Sequence, residues 1–225
     1  MAKESYAVIG LGQFGTAICE SLLEAGQDVL IVDHNEEVIN DFAGKVLRAV
    51  IADAEDEEAL RDLSIGDFDH VYISIGRNVE ASIMATLIVK ELGAKHIISR
   101  AENERHAKVL DRIGADLVVR PEKDIAERIV YQQLHPNITN YLQLSKMLTL
   151  ADVVVRNKDF FYKTLEQLDL TNRFGVNVIL IISRDEKRVN QRPHAQDVIH
   201  PYDRITVVGR IENIERLEEY LKKGK

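Results

Sequence analysis

Three glycines stand in the hexapeptide Gly-Leu-Gly-Gln-Phe-Gly, residues 10–15, after the apolar run Tyr6–Ile9 and ahead of a stretch with helical periodicity. Glycine at 10 permits a tight turn. Glycine at 12 lets backbone approach a pyrophosphate, and glycine at 15 lets helix pack on strand. The helix start adds free N–H groups and a partial positive charge. Gly10, Gly12, Gln13, Phe14 and Gly15 are therefore candidate phosphate-binding residues. The triplet alone is weak evidence; its place between strand and helix gives it meaning. Asp33 ends the next apolar run, 23 residues after Gly10, where a carboxylate accepts hydrogen bonds from both hydroxyls of a ribose and repels a 2′-phosphate. The competing reading is that Asp33 only caps the following helix.

Ligands of open α/β sheets bind outside the carboxyl ends of the strands. Those ends supply Asp53 with Ala54, Gly76 with Arg77 and Asn78, Arg100, and finally Arg120 with Glu122. Asp53 is placed for an adenine amino group or for a helix N-cap. Gly76 allows close approach of phosphate or ribose. Arg100 pairs with phosphate or with a surface carboxylate. Asp33, Asp53, Ala54, Gly76, Asn78, Arg100 and Glu122 join the glycine loop as candidate nucleotide-binding residues.

The elements that must position these residues read as short apolar strands at Tyr6–Ile9, Val29–Val32, Arg48–Ile51, Val71–Ile75, His96–Ser99 and Leu117–Val119. Helices are expected between and after them, at Thr16–Ala25, Glu36–Phe42, Glu57–Leu63, Asn78–Leu92, Glu104–Ile113 and Asp124–Leu134. This alternation predicts an α/β fold, a doubly wound parallel Rossmann-like sheet buried on both faces. After Leu134 the pattern changes. Residues 136–150 read as a connector; "ADVVVR", "VNVILIISR" and "RITVVGR" then read as strands and Ile211–Leu221 as a terminal helix. The expected organisation is a nucleotide-binding domain over 1–135, the connector, and a small α+β domain over 151–225.

Composition narrows the function classes. The net charge of −8 divides unevenly: residues 151–225 carry 14 Lys+Arg against 12 Asp+Glu, and residues 1–150 carry 15 against 25. That balance argues against nucleic acid as a partner. No run approaches eighteen apolar residues, and "MAKESYAVIG" lacks the apolar core of a signal peptide. The single cysteine, Cys19, excludes an internal disulfide and reads as a small buried hydrophobe in a reducing compartment. The seven histidines show no metal-ligand spacing, and His194 and His200 sit in a turn-rich loop. No nucleophile elbow or P-loop signature is present. A nucleotide cradle with no evident catalytic half points to a sensor rather than a catalyst.

The stretches "YAVIGLGQFG", "VLIVDHNEEVIN" and "VLDRIGADLVVRPEKDIAERI", with the small C-terminal domain, resemble the Ktr/Trk potassium-uptake regulatory proteins, which are built from RCK domains. The "IGAD…PEKD" stretch is the more specific part, and the resemblance covers essentially the whole chain. It implies a non-enzymatic, cytoplasmic subunit, peripheral on the inner face of the membrane. Such subunits pair and assemble into an octameric ring that docks on a membrane potassium transporter. Each N-terminal lobe would bind ATP, ADP or NAD(H), and the ligand would bias the gate through the ring's shape.

The resemblance gives Gly10, Gly12 and Gly15 the phosphate loop and Asp33 the ribose. It gives Glu122 a share in holding Mg²⁺ or another divalent cation beside ATP. ATP-selective members often carry Arg where this chain has Gln13, a neutral amide that cannot supply that charge to a γ-phosphate. The crossover helix is expected to make lobe-to-lobe contacts through Ile125, Ile129, Val130 and Leu134; intradomain packing is the plainer reading. Related C-terminal domains bind cyclic di-AMP at a two-fold interface. The matching positions are Leu165, Leu170, Asn177 and Pro193, with Thr171 where some relatives have Arg and Arg173 nearby; a plain dimer core is the alternative. On residues alone, a small NAD-dependent oxidoreductase remains the rival function. A nucleotide-dependent repressor is disfavoured by the acidic balance.

Overall fold

The computed structural model describes residues 4–145 and 147–222, so Met1–Lys3 of the opening stretch lie outside the described residues. The chain divides into two compact units, Met1–Asp124 and Ile125–Lys225.

In the first unit β1 (Tyr6–Ile9), α1 (Gln13–Glu24), β2 (Val29–Asp33), α2 (Glu36–Asp41), β3 (Arg48–Ile51) and α3 (Glu57–Asp62) form one half. The other half is β4 (His70–Ile73), α4 (Val79–Glu91), β5 (His96–Arg100), α5 (Glu104–Ile113) and β6 (Leu117–Val119), and α6 (Pro121–Leu134) follows. All strand pairs are parallel, in the order β3-β2-β1-β4-β5-β6. This is the expected doubly wound sheet, with its strand order reversing between β1 and β4. Ile9 stands opposite Val32 on one side and Ile73 on the other. Alternate strand residues feed two cores. Ala7, Ile9, Leu30, Val32 and Ile73 join Leu60, Val89 and Leu110 on one face; Val8, Val29 and Ile31 join Leu11, Cys19 and Phe42 on the other. Burial holds the Cys19 thiol up at about 11, so it behaves as a hydrophobe.

Several element ends differ from the sequence reading, most by one residue, and three of the larger differences bear on the cleft. Helix α1 starts at Gln13 rather than Thr16, because Gly12, in extended conformation, is already its N-cap. Strand β4 stops at Ile73, so Ser74 and Ile75 leave the sheet toward the cleft. Helix α6 starts at Pro121 rather than Asp124, and proline is well suited to a first helical position.

The second unit corrects the connector. Residues 136–150 are mostly strand, comprising β7 (Ile138–Ser145) and the start of β8 (Leu148–Val154). The sequence signal was weak because β7 is an edge strand whose apolar side chains are interleaved with polar ones and largely exposed. The portion of α6 from Ile125, read as part of the first domain, belongs to this unit. There Tyr131 packs its ring 4.5 Å from that of Tyr141, and Gln132 Nε2 donates to Thr139 O at 3.0 Å. Helices α7 (Leu165–Leu168) and α8 (Leu170–Phe174), strands β9 (Val176–Ile182), β10 (Val189–Asn190) and β11 (Arg204–Gly209), and helix α9 (Ile211–Lys222) complete it. The sheet is antiparallel, in the order β10-β9-β11-β8-β7. Ala151, Val153, Ile205, Val207 and Val176 form a core with Phe160, Leu170, Ile214 and Leu217.

Candidate nucleotide-binding cleft

Gly10 adopts φ +88, and a Cβ there would lie 3.1 Å from Ile75 Cγ1, so the turn after β1 requires glycine. A Cβ on Gly15 would fall 2.0 Å from Gly10 O, which is why the helix can lie this close only with glycine. Gly12 faces open space, and no side chain caps the start of α1. The helix N-terminus therefore presents its free amides to the cleft.

Asp33 lies across from that turn with its side chain 10% exposed. Leu11 N–H donates to Oδ2 at 2.5 Å and Asn35 N–H to Oδ1 at 2.8 Å. The N-cap of α2 is Asn35, whose Oδ1 accepts from Glu37 N–H, so Asp33 is not the cap of that helix. Two backbone amides fix its carboxylate while lone pairs remain for a ligand. Asp56, not Asp53, caps α3; Asp53 instead accepts from Glu55 N–H at 3.0 Å. Asn78 does cap α4, through Ala81 N–H at 3.1 Å.

The cleft encloses about 860 Å³ and is lined by every sequence-derived nucleotide candidate except Gly15, which packs behind the turn. The lining also includes His34, Glu55, Ser74, Ile75 and Glu102, which sequence reasoning did not assign to it. Their signal was position: each is next to, or two residues from, a strand-end residue already identified. Ser74 is 4% exposed, and its Oγ has no partner among the described residues. Such a donor at a cavity wall is suited to a ligand oxygen.

Arg100, at the end of β5, meets Glu122 in the first turn of α6, with Nη2 2.5 Å from Oε1. The carboxyl of Glu122 is held below its ordinary range, chiefly by a hydrogen bond from its own backbone amide and then by Arg100, against partial desolvation. Among the described residues no group of three or more His, Cys, Asp or Glu could hold a metal ion. The walls carry five carboxylates, Asp33, Asp53, Glu55, Glu102 and Glu122, against Arg77 and Arg100.

None of the four residues matched to a second ligand lines this cleft. Leu170 is 4% exposed in the core of the second unit, so its side chain is not available to clasp an adenine; Leu165 packs partly against the same core. Asn177 accepts from Thr171 Oγ1 at 3.0 Å, and Pro193 is half-buried. A cavity of about 350 Å³ in this unit is lined by Ile181, Arg188, Asn190, Asp197 and His200 and by none of those four.

Comparison with known proteins fits both units. The TrkA-N domain model matches residues 6–121, and the TrkA-C domain model residues 150–222. Ktr system potassium uptake protein C of Bacillus subtilis is 42% identical over 217 residues, 96% of this chain and 97% of that protein. Ktr system potassium uptake protein A of Vibrio alginolyticus is 37% identical, covering 92% of each. Among solved structures, the GsuK channel aligns over 96% of this chain at TM-score 0.66 and 17% identity. The GsuK channel bound to NAD aligns over 98% at TM-score 0.64 and 17% identity. At that identity the likeness is one of fold, and this chain spans 39% and 40% of those channel chains. Two domain models in the order of the two units, and relatives at 42% and 37% identity along nearly the whole length, show that the chain belongs to the Ktr/Trk family of potassium-uptake proteins built from TrkA-N and TrkA-C domains.

Proposed function

We propose that this chain is a cytoplasmic, non-catalytic regulatory subunit that senses an adenine nucleotide and biases the gate of a membrane potassium transporter. One observation carries the reading. At the reversal between β1 and β4, an uncapped helix N-terminus on a glycine turn stands across from Asp33, whose carboxylate two backbone amides have already oriented. That arrangement suits a pyrophosphate on one side and a ribose on the other. ATP, ADP and NAD(H) share those parts. Asp33 disfavours a 2′-phosphate, and the structural relative GsuK has been solved with NAD bound.

A divalent cation fits beside Glu122 only if ligand phosphates fill most of its coordination shell, as is usual for Mg²⁺. The partner is inferred from family membership. No helix among the described residues is long and apolar enough to cross a membrane; the gate proposed is that of a membrane transporter subunit. Self-association is supported by α6, which has no buried residue and exposes Ile125, Ile129, Val130 and Leu134 at 54% or more. Within the chain these side chains are not intradomain core. Large exposed apolar patches mark interaction sites. Pairing through this stripe, carried on to a ring of eight, is the assembly proposed. Cyclic di-AMP remains a second proposed ligand, at Leu165, Asn177 and Pro193 between two copies, with Leu170 behind them in the core.

The test combines calorimetry with ATP, ADP, NADH and cyclic di-AMP and potassium uptake by cells that co-express the transporter subunit. Nucleotide binding and nucleotide-dependent uptake, both weakened by Asp33→Ala, are expected. No adenine nucleotide bound at micromolar concentration, or uptake indifferent to this subunit, refutes the reading.

A further inference from the structure

The guanidinium of Arg100 lines the cleft and is paired with Glu122. A Cβ on Gly76 would lie 1.5 Å from Arg100 Nη1 and 2.7 Å from Cζ, so the Nη1 end of the guanidinium sits against the backbone just beyond β4. That places a cation beside the β1/β4 reversal, although Arg100 itself belongs to β5. Its side chain is 20% exposed, and Nε is buried with no partner among the described residues. Nη2 is engaged by Glu122. Glu122 stands in the first turn of α6, which starts in the first unit and runs on into the second. Ser74 Oγ, also unpartnered, lines the same cleft.

Resting on the nucleotide-binding reading above, we propose that Arg100 is a phosphate-operated latch on α6. In the empty cleft it holds Glu122 and so the first turn of that helix. A ligand phosphate competes with Glu122 for the same guanidinium and releases the turn. The carboxylate and the phosphate are both anions seeking the same fork of N–H donors. Glu122 is therefore an internal competitor of the ligand when no metal is present. With Mg²⁺ its role reverses, because a freed carboxylate beside the phosphates then serves the cation. Gly76 has a specific part in this: any side chain there would exclude Arg100 from the position it holds.

The test is a calorimetric titration with ADP in EDTA and again in Mg²⁺, with adenosine as a phosphate-free control. Glu122 is 69% exposed, so Glu122→Gln preserves the fold. In EDTA this substitution should raise ADP affinity about fivefold, the scale of one partly exposed ion pair. The gain should vanish or reverse in Mg²⁺, and adenosine should not distinguish the proteins. Arg100→Gln should lower ADP affinity about tenfold or more and leave adenosine unchanged. Hydrogen exchange in wild type should quicken at Asp124, whose amide donates to Arg120 O at 2.9 Å, on adding ADP. If wild type binds ADP but Glu122→Gln binds it no more tightly in EDTA, the latch is wrong and the nucleotide site stands. The latch also fails if Arg77→Gln, rather than Arg100→Gln, removes the phosphate-dependent affinity. If wild type binds neither ADP nor adenosine, the nucleotide reading falls and takes the latch with it.

Discussion

Replacing Asp33 by alanine should cost binding and stability by separable routes. The carboxylate accepts Leu11 N–H at 2.5 Å and Asn35 N–H at 2.8 Å. Leu11 is 4% exposed, so its amide would be left with no acceptor in a poorly solvated place. An unsatisfied buried donor costs about 1–3 kcal/mol. The Asn35 amide is exposed and finds water. The stability loss should therefore be near 2 kcal/mol rather than twice that. The binding loss has another origin, the charged hydrogen bonds to the ribose hydroxyls, worth about 1.5–3 kcal/mol. In affinity that is roughly tenfold to somewhat over a hundredfold. Thermal unfolding reads the first quantity and calorimetry with ADP the second. A ligand cycle separates them: wild type should bind 2′,3′-dideoxy-ADP weakly by the same factor, and Asp33→Ala should not distinguish it from ADP. If the variant still prefers the ribose hydroxyls, or binds ADP as wild type does, Asp33 is not the ribose acceptor. A stability loss alone would leave it only a turn-fixing role.

Gln13→Arg should raise affinity for ATP more than for ADP, because a cation a few ångströms from a terminal phosphate is worth about 1–4 kcal/mol that a neutral amide lacks; equal gains for both nucleotides would count against it. Ile129→Asp, on the exposed stripe of α6, should shift the particle seen by light scattering toward the 25.5 kDa chain, and an unchanged mass would place self-association elsewhere. Asp69 is held well below its ordinary 3.8 by Lys95 Nζ and then by the backbone amide and hydroxyl of Ser5. A depressed carboxyl stabilises above its unfolded value and loses that contribution as pH falls toward its folded one. The melting-temperature gap between wild type and Asp69→Asn should thus hold from neutral pH to about 5 and close below about 4; a gap that widens in acid would reverse the assignment.

The first unit was legible because its signals are local and redundant. Short runs such as Val29–Asp33, buried along their length, leave no doubt about strands closed on both faces, and Gly10 and Gly15 are dictated by backbone approach. The strand-end rule then placed side chains from separate strands in one cleft. The second unit was less legible because β7 buries only Ile138, so its alternation has no buried face behind it to set the pattern. Local reading likewise placed Asp53 as a possible cap when Asp56, three residues later, has that job. The sequence offered Arg100 an ion pair with a surface carboxylate as one of two roles, and the structure shows that pair, but it could not name Glu122 as the partner. The two positions are far apart along the chain, and each was assigned a different part of the ligand. Only the geometry shows them in contact, with the glycine at 76 making room.

The charge of the cleft narrows the ligand further than its shape does. Five carboxylates against two guanidiniums give the walls a net negative charge, and one of those guanidiniums is already engaged by a carboxylate. On the nucleotide reading proposed above, a ligand phosphate would meet the neutral amides at the start of α1 and Ser74 Oγ first, and Arg100 only after displacing Glu122, so little positive field is left over. Neutral donors favour a pyrophosphate that carries only its diester charges, as in NAD(H). A free triphosphate brings the most charge into an acidic site and gains least from it unless a cation accompanies it. On this ground metal-free ATP should be the weakest of the three nucleotides, and Mg²⁺ should help ATP most and NADH least. Raising ionic strength should weaken metal-free ATP binding little or even assist it, because salt screens the repulsion from the acidic walls. A steep loss of metal-free ATP affinity with salt would mean that cations, and not backbone amides, hold the phosphates.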